Sequence, residues 1–155
     1  MSAYKMIFNT VLVAVIVATI YFFGFTDSYK TSLKAKMKYI SGDYKEAREL
    51  AKDAFDEDPY NRMAISVLAQ SKISAEFVDY INDGDKYLKK IKALTQKQNF
   101  ENRDKVKIKM MCEVMLGRYE KLSSTVMTDS DLKKVSKEKF EQFKSIHEEL
   151  FSTKE

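Results

Sequence analysis

Between Met6 and Phe25 the chain runs for twenty residues, MIFNTVLVAVIVATIYFFGF, without one charged side chain. At about 1.5 Å of rise per residue such a run reaches about 30 Å as a helix, which is the thickness of a bilayer's hydrocarbon core. Val11, Val13, Val15, Ile16, Val17, Thr19 and Ile20 are mediocre helix formers in water, but lipid offers the backbone no outside partner and forces it to bond to itself. Tyr4 at one end and Tyr21, Phe22, Phe23 and Phe25 at the other fit the aromatic belts of the two interfaces. The competing reading is a cleaved secretory signal; against it, the apolar stretch is longer than the usual h-region and ends in bulky aromatics. The sequence therefore predicts a five-residue tail (1–5), a transmembrane helix over 6–25, a helical domain over 28–151 and a C-terminal tail over 152–155.

After that span, 130 residues leave room for one compact domain. Its 27 basic and 23 acidic side chains belong to a chain whose charges are mixed along its length, with a net charge of +4, so no basic block recommends nucleic acid as a partner. A single cysteine, Cys112, excludes an internal disulfide or a cysteine-rich zinc site, and a single histidine, His147, supplies little for metal chemistry. No stretch alternates strictly enough for a half-buried strand, and four glycines with one proline are too few for an all-β fold. The expected class is all-α.

The helices can be placed from their periodicity and punctuation. Thr26-Asp27-Ser28 offers an N-cap, and Leu33, Met37, Tyr39 and Ile40 share a face of the first helix, which stops at Ser41-Gly42-Asp43. A second helix runs from about Tyr44 to Asp56 with Ala47, Ala51 and Ala54 at i, i+4 and i+7, a stripe small enough for close helix approach. Pro59 suits the start of the next helix. Phe77 to Leu94 fits a long helix interrupted near Asn82-Asp83-Gly84-Asp85, Phe100 to Leu116 another that is broadly apolar, and Ser130 to Phe151 a last, amphipathic one.

Gly42-Asp43-Tyr44, Ala47, Ala54-Phe55 and Asp58-Pro59 together resemble the second half of a tetratricopeptide (TPR) repeat. In its first half Ala35 takes the small-residue place, while Thr31 and Lys34 stand where an aromatic and an aliphatic are common. A following repeat would start near Arg62 with Ile65, Leu68 and Ala69 at its signature places, and Leu116-Gly117-Arg118-Tyr119 looks like a further inter-helix turn. The resemblance implies a stack of antiparallel helices, with Gly42, Tyr44, Ala47, Ala54 and Pro59 as structural positions and the C-terminal helix as a cap. It also implies partner binding on a concave face lined by the first helices, at Tyr29, Lys30, Lys34, Lys38 and Tyr39. The lysines suit an acidic segment or a carboxylate terminus, and equally the headgroups of lipid.

Catalytic signatures are missing. Asp79 to Asp85 starts like an EF-hand loop, but Ile81 takes a ligand position and Lys90 stands where the bidentate glutamate belongs, which leaves a helix break or turn as the alternative. Cys112, in Met110-Met111-Cys112, reads as a buried, inert thiol, and His147 beside Glu148 and Glu149 as a solvent-facing side chain. There is no phosphate loop, nucleophile elbow or His-Glu-x-x-His pair. The expectation is a non-enzymatic protein without cofactor, metal or small-molecule substrate. It would serve as an adaptor, assembly or stability factor for a membrane complex, binding another, membrane-associated protein while 6–25 sit in the bilayer. The alternative is a structural subunit of a bacterial envelope machine, a flagellar motor or secretion system, in which the transmembrane helix makes the main contact through Asn9 and Thr10. Lys30, Lys34, Lys36 and Lys38 following the span favour a cytoplasmic domain over a periplasmic one.

Overall fold

The computed structural model describes residues 3–151, and the side chains of residues 3 and 22–25 lie outside that description. So do the expected tail 152–155, the first two residues of the expected tail 1–5, and the belt side chains of Phe22, Phe23 and Phe25. The described chain holds six helices and no strand: α1 (Ala3–Phe25), α2 (Asp27–Ile40), α3 (Tyr44–Glu57), α4 (Arg62–Thr95), α5 (Asn102–Glu120) and α6 (Ser130–Phe151). The fold is all-α, as the punctuation predicts. α1 is long and apolar enough to cross a membrane, and none of Tyr4–Tyr21 is buried. Its two threonine hydroxyls bond backward along the helix, Thr10 Oγ1 donating to Met6 O at 2.9 Å and Thr19 Oγ1 to Val15 O at 2.7 Å, so neither leaves a free polar group on the apolar surface.

The chain divides into two compact units, 1–71, which includes α1, and 72–155, and α4 contributes residues to both. In the first unit α2 and α3 form a hairpin across Ser41–Asp43, where Gly42 adopts φ +84°, a left-handed conformation that disfavours any side chain. Asp43 caps α3 by accepting from Glu46 N at 3.2 Å. Ala47, Ala51 and Ala54 are fully buried, as their spacing predicts, and Ala47 and Ala51 cluster with Ala35 and Val67, with Tyr39, Leu50, Met63 and Leu68 around them.

Small residues line the α2 side of this contact too. Ser28, Ser32 and Ala35 face inward, and of the four residues expected to share a face only Tyr39 packs on the core: Leu33 is 53%, Met37 64% and Ile40 74% exposed. Close packing of two alanine-lined helices leaves no room for leucine-sized side chains, so polarity is a poor guide to the inner face here. Ser28 serves no cap. Its Oγ donates to Ala54 O at 2.7 Å and accepts from Asn61 Nδ2 at 2.9 Å, and the same amide nitrogen donates to Ser32 Oγ at 3.1 Å. Asn61 Oδ1 then accepts from Met63 N and Ala64 N, capping α4. Pro59 lies in the preceding turn and does not begin the helix: Asn61 N donates to Asp58 O, and Asp58 Oδ1 accepts from Tyr60 N. Helix α4 starts at Arg62 as expected, but Ala64 and Val67 are its buried positions, while Ile65 and Ala69 are exposed.

The second unit centres on Tyr80, Ile91, Ile108, Cys112, Met115 and Phe143, drawn from α4, α5 and α6. The expected interruption at Asn82–Asp85 does not occur. Gly84 is buried inside a continuous α4 where Met115 Cε and Lys139 Cδ come over it. A Cβ built there meets those atoms at 3.5 and 3.6 Å, ordinary contact distances. Nor is there a turn at Gly117, which is helical within α5; the chain leaves that helix only after Glu120.

These environments separate the two glycines. Gly42→Ala should lower stability by about 1 kcal/mol through its left-handed φ, whereas Gly84→Ala should be neutral or raise stability by up to about 1 kcal/mol through helix propensity. Asn61→Ala should cost about 1–3 kcal/mol, because the α4 cap is lost and the buried Ser32 and Ser28 hydroxyls lose their donor. Urea unfolding of the full chain in detergent, followed by circular dichroism, measures all three.

Candidate functional site

The five residues proposed from sequence on α2 do not form one site. Tyr39 packs against the core of the first unit and meets the Tyr44 ring edge-on at 5.3 Å between centroids. Lys38 bridges to α3, its Nζ 2.6 Å from Glu46 Oε2 and 4.0 Å from Asp43 Oδ2, and the Glu46 carboxylate raises its pKa. Lys30 lies 3.6 Å from Asp27 at the start of its own helix. Lys34 is exposed and Tyr29 half-buried. Two of the five, Lys38 and Tyr39, hold the hairpin together.

A second surface is better formed, and it lies within the second unit. Tyr87, Ala93 and Leu94 of α4 and Met110, Met111 and Val114 of α5 line a groove of about 580 Å³, with Lys90, Lys97 and Lys107 on its rim. Along α5 the exposed Val106, Met110 and Val114 recur every four residues, while Ile108, Cys112 and Met115 fill the core. This helix is thus apolar on two faces, one of which the fold leaves open. The start of α5 is pinned by Asp104, a nearly buried carboxylate that accepts from Lys97 Nζ at 3.2 Å and from Glu101 N at 3.4 Å. The Lys97 ammonium holds the Asp104 carboxyl below its ordinary range. No acidic side chain lines the groove itself; Asp104 behind it lies 3.2 Å from Lys97 and 3.9 Å from Lys107, so one carboxylate offsets part of the charge of three lysines and the rim keeps a positive balance. The apolar excess of α5 was visible in the sequence; that α4 supplies the facing wall was not.

The other chemical candidates have structural roles. Asp79 to Asp85 is helical, and Asp83 accepts from Arg118 Nη1 and Lys86 Nζ, both at 3.0 Å, which depresses its pKa, Arg118 most strongly. Cys112 is fully buried, and burial, with the Glu113 charge second, pushes its thiol up to about 11. Tyr80 lies in the same core with its phenol pushed up to about 12 by burial, its ring 5.8 Å from Tyr119, which stacks on Phe140 at 4.5 Å. His147 does not stand out in water: its ring packs 5.4 Å from Phe151, and Nε2 is 4.0 Å from Glu113. Among the described residues no three His, Cys, Asp or Glu side chains gather where they can hold a metal ion. No family model, curated protein or solved structure matches the chain.

Asp83 and Asp104 set the acid response. Both carboxyls have folded pKa values below the ordinary 3.8, so their stabilisation is complete above that value and is lost as pH falls below it. Thermal melts from pH 6 down to about pH 2 should show a steepening loss of stability below about pH 4. Asp83→Asn and Asp104→Asn should each lower the melting temperature at pH 6 and flatten that descent.

Proposed function

We propose that this chain is a membrane-anchored protein–protein interaction module, an adaptor or assembly factor whose second unit captures an acidic, amphipathic helix of a membrane-associated protein. The observation that carries the reading is the open, lysine-rimmed apolar groove between α4 and α5 in a chain whose Tyr4–Tyr21 stretch of α1 has no protein cover. An apolar groove of this size accepts two or three side chains of a helix laid along it, and Lys90, Lys97 and Lys107 favour carboxylates beside them. Uncovered apolar surface along all of Tyr4–Tyr21 is tolerated in lipid and costly in water, which supports the anchor over a free apolar arm. Confinement to the membrane raises the module's effective concentration near its partner. Lys30, Lys34 and Lys36, close behind α1, support a cytoplasmic face.

The first unit supports a TPR-like reading of the base. Two 14-residue helices meet across a glycine turn over alanines, and the starts of α2 and α4 are 35 residues apart, close to the repeat's 34. Helix α4 departs from the repeat by running on unbroken for 34 residues.

Carbonate extraction of native membranes should leave the chain, with residues 1–25 intact, in the pellet; release, or a mature chain lacking them, overturns the anchor. Met110→Glu should weaken partner labelling by a C-terminal proximity enzyme in living cells by at least about ten-fold while membrane localisation persists, because the new carboxylate repels an acidic partner from an apolar seat. Replacing Val11–Ile20 by leucines should leave that labelling intact. Loss of labelling in the leucine variant, with wild-type labelling in Met110→Glu, assigns the contact to α1 instead.

A further inference from the structure

We propose that α2 lies in the membrane interface, with Leu33, Met37 and Ile40 inserted among the acyl chains and Lys30, Lys34 and Lys36 on the headgroups. The inference rests on the reading of α1 as a bilayer span.

Three observations converge on lipid as the occupant of this face. The first is the pattern of exposure. At about 100° per residue, Leu33, Met37 and Ile40 fall within an arc of about 60°, and each is more than half exposed, whereas the side of α2 that packs on α3 and α4 carries Ser28, Ser32 and Ala35. The helix has two non-polar sides, one of small residues for protein and one of large residues that no part of the first unit covers.

The second observation is the arrangement of charge. Lys30 and Lys34 border the arc on one side and Lys36 on the other, all exposed, and the only carboxylate of α2, Asp27, sits at its first turn. Lysine stems of this length lie along an apolar surface while their ammonium groups reach the phosphates. That is the distribution of an interfacial helix: a narrow apolar face with cations at both borders.

The third is continuity. α1 ends at Phe25 and α2 begins at Asp27, so Thr26 alone separates an uncovered apolar helix from one with an uncovered apolar stripe. The first turns of α2 are therefore held at the bilayer boundary whatever their own affinity, and the insertion of three side chains follows at little further entropic cost. A protein partner on this stripe would have to exclude lipid from it at the membrane surface.

The chain contains no tryptophan, so one introduced residue reports its own surroundings. Single-tryptophan full-length proteins Met37→Trp, Val13→Trp and Glu49→Trp are reconstituted in phosphatidylcholine–phosphatidylglycerol vesicles with bromines placed either near the carbonyl end of the acyl chains or near their tails. Glu49 is exposed on α3, away from the buried alanine stripe. Met37→Trp should lose emission about two-fold more to shallow than to deep bromines, as a side chain some 5–10 Å into the boundary does, while Glu49→Trp is unquenched. Ile40→Trp, on the same arc, repeats the measurement should Met37→Trp fail to keep its helicity. If Val13→Trp is quenched and neither α2 reporter is quenched more than Glu49→Trp, α1 is a span and α2 faces something other than lipid, which overturns the proposal alone. If Val13→Trp is unquenched, the anchor reading falls and takes this one with it. Lys30→Gln, Lys34→Gln and Lys36→Gln combined should abolish the stronger Met37→Trp quenching expected in anionic over purely zwitterionic vesicles; unchanged lipid selectivity overturns the role of the lysines.

Discussion

One buried carboxamide sets the geometry of the first unit. Asn61 caps α4 with its oxygen and donates with its nitrogen to Ser28 and Ser32 of α2, while Ser28 passes a hydrogen bond to the Ala54 carbonyl of α3. Each bond is modest alone, but all except the part-buried one from Met63 N are buried, so shifting any of the three helices strands polar groups that water cannot reach. The alanine contacts between α2 and α3 give no comparable register, since small smooth surfaces slide at little cost. The outward position of Leu33, Met37 and Ile40 follows directly: once Ser28, Ser32 and Ala35 are committed to the interior, the large side chains of α2 have nowhere else to go.

That inversion shows where sequence reasoning succeeds and where it stops. The long apolar helix α1, the alanine stripe of α3, the glycine turn at Gly42 and the bounds of α6 were all legible, because each rests on a local rule: length of an apolar run, a spacing, a backbone conformation. The inner face of α2 was not. Hydrophobicity assigns the core to leucine, methionine and isoleucine, and only the distant partners Ala54 and Asn61 reverse it. Gly84 and Gly117 misled for a related reason. A glycine costs a helix about 1 kcal/mol, which tertiary packing readily offsets, and at Gly84 the packing of Met115 and Lys139 selects a small residue. Pro59 missed its place by three positions because a turn with Asp58 at its head suits proline as well as a helix start does.

The groove was half legible. Met110, Met111 and Val114 gave α5 more apolar surface than one face can bury, yet its opposite wall, Tyr87 and Leu94, sits on a helix that the sequence appeared to break. Its lining is mostly apolar, with Lys90, Lys97 and Lys107 supplying the charge. The most perturbed side chains, Cys112 and Tyr80, owe their raised pKa values chiefly to burial in the core, and Tyr80 also lines a small cavity of about 250 Å³ with Glu76, Asp79 and Arg118. Asp83 and Asp104, depressed by their cationic neighbours, hold helices in place.

The single residue at position 26 has a mechanical meaning. One peptide unit extends less than about 4 Å, so the first turn of α2 stays within a few ångströms of the last turn of α1 however the two soft torsions between them are set. Whatever this hairpin meets must therefore come to the end of α1, and discrimination among visitors begins with tether length before any side chain is touched.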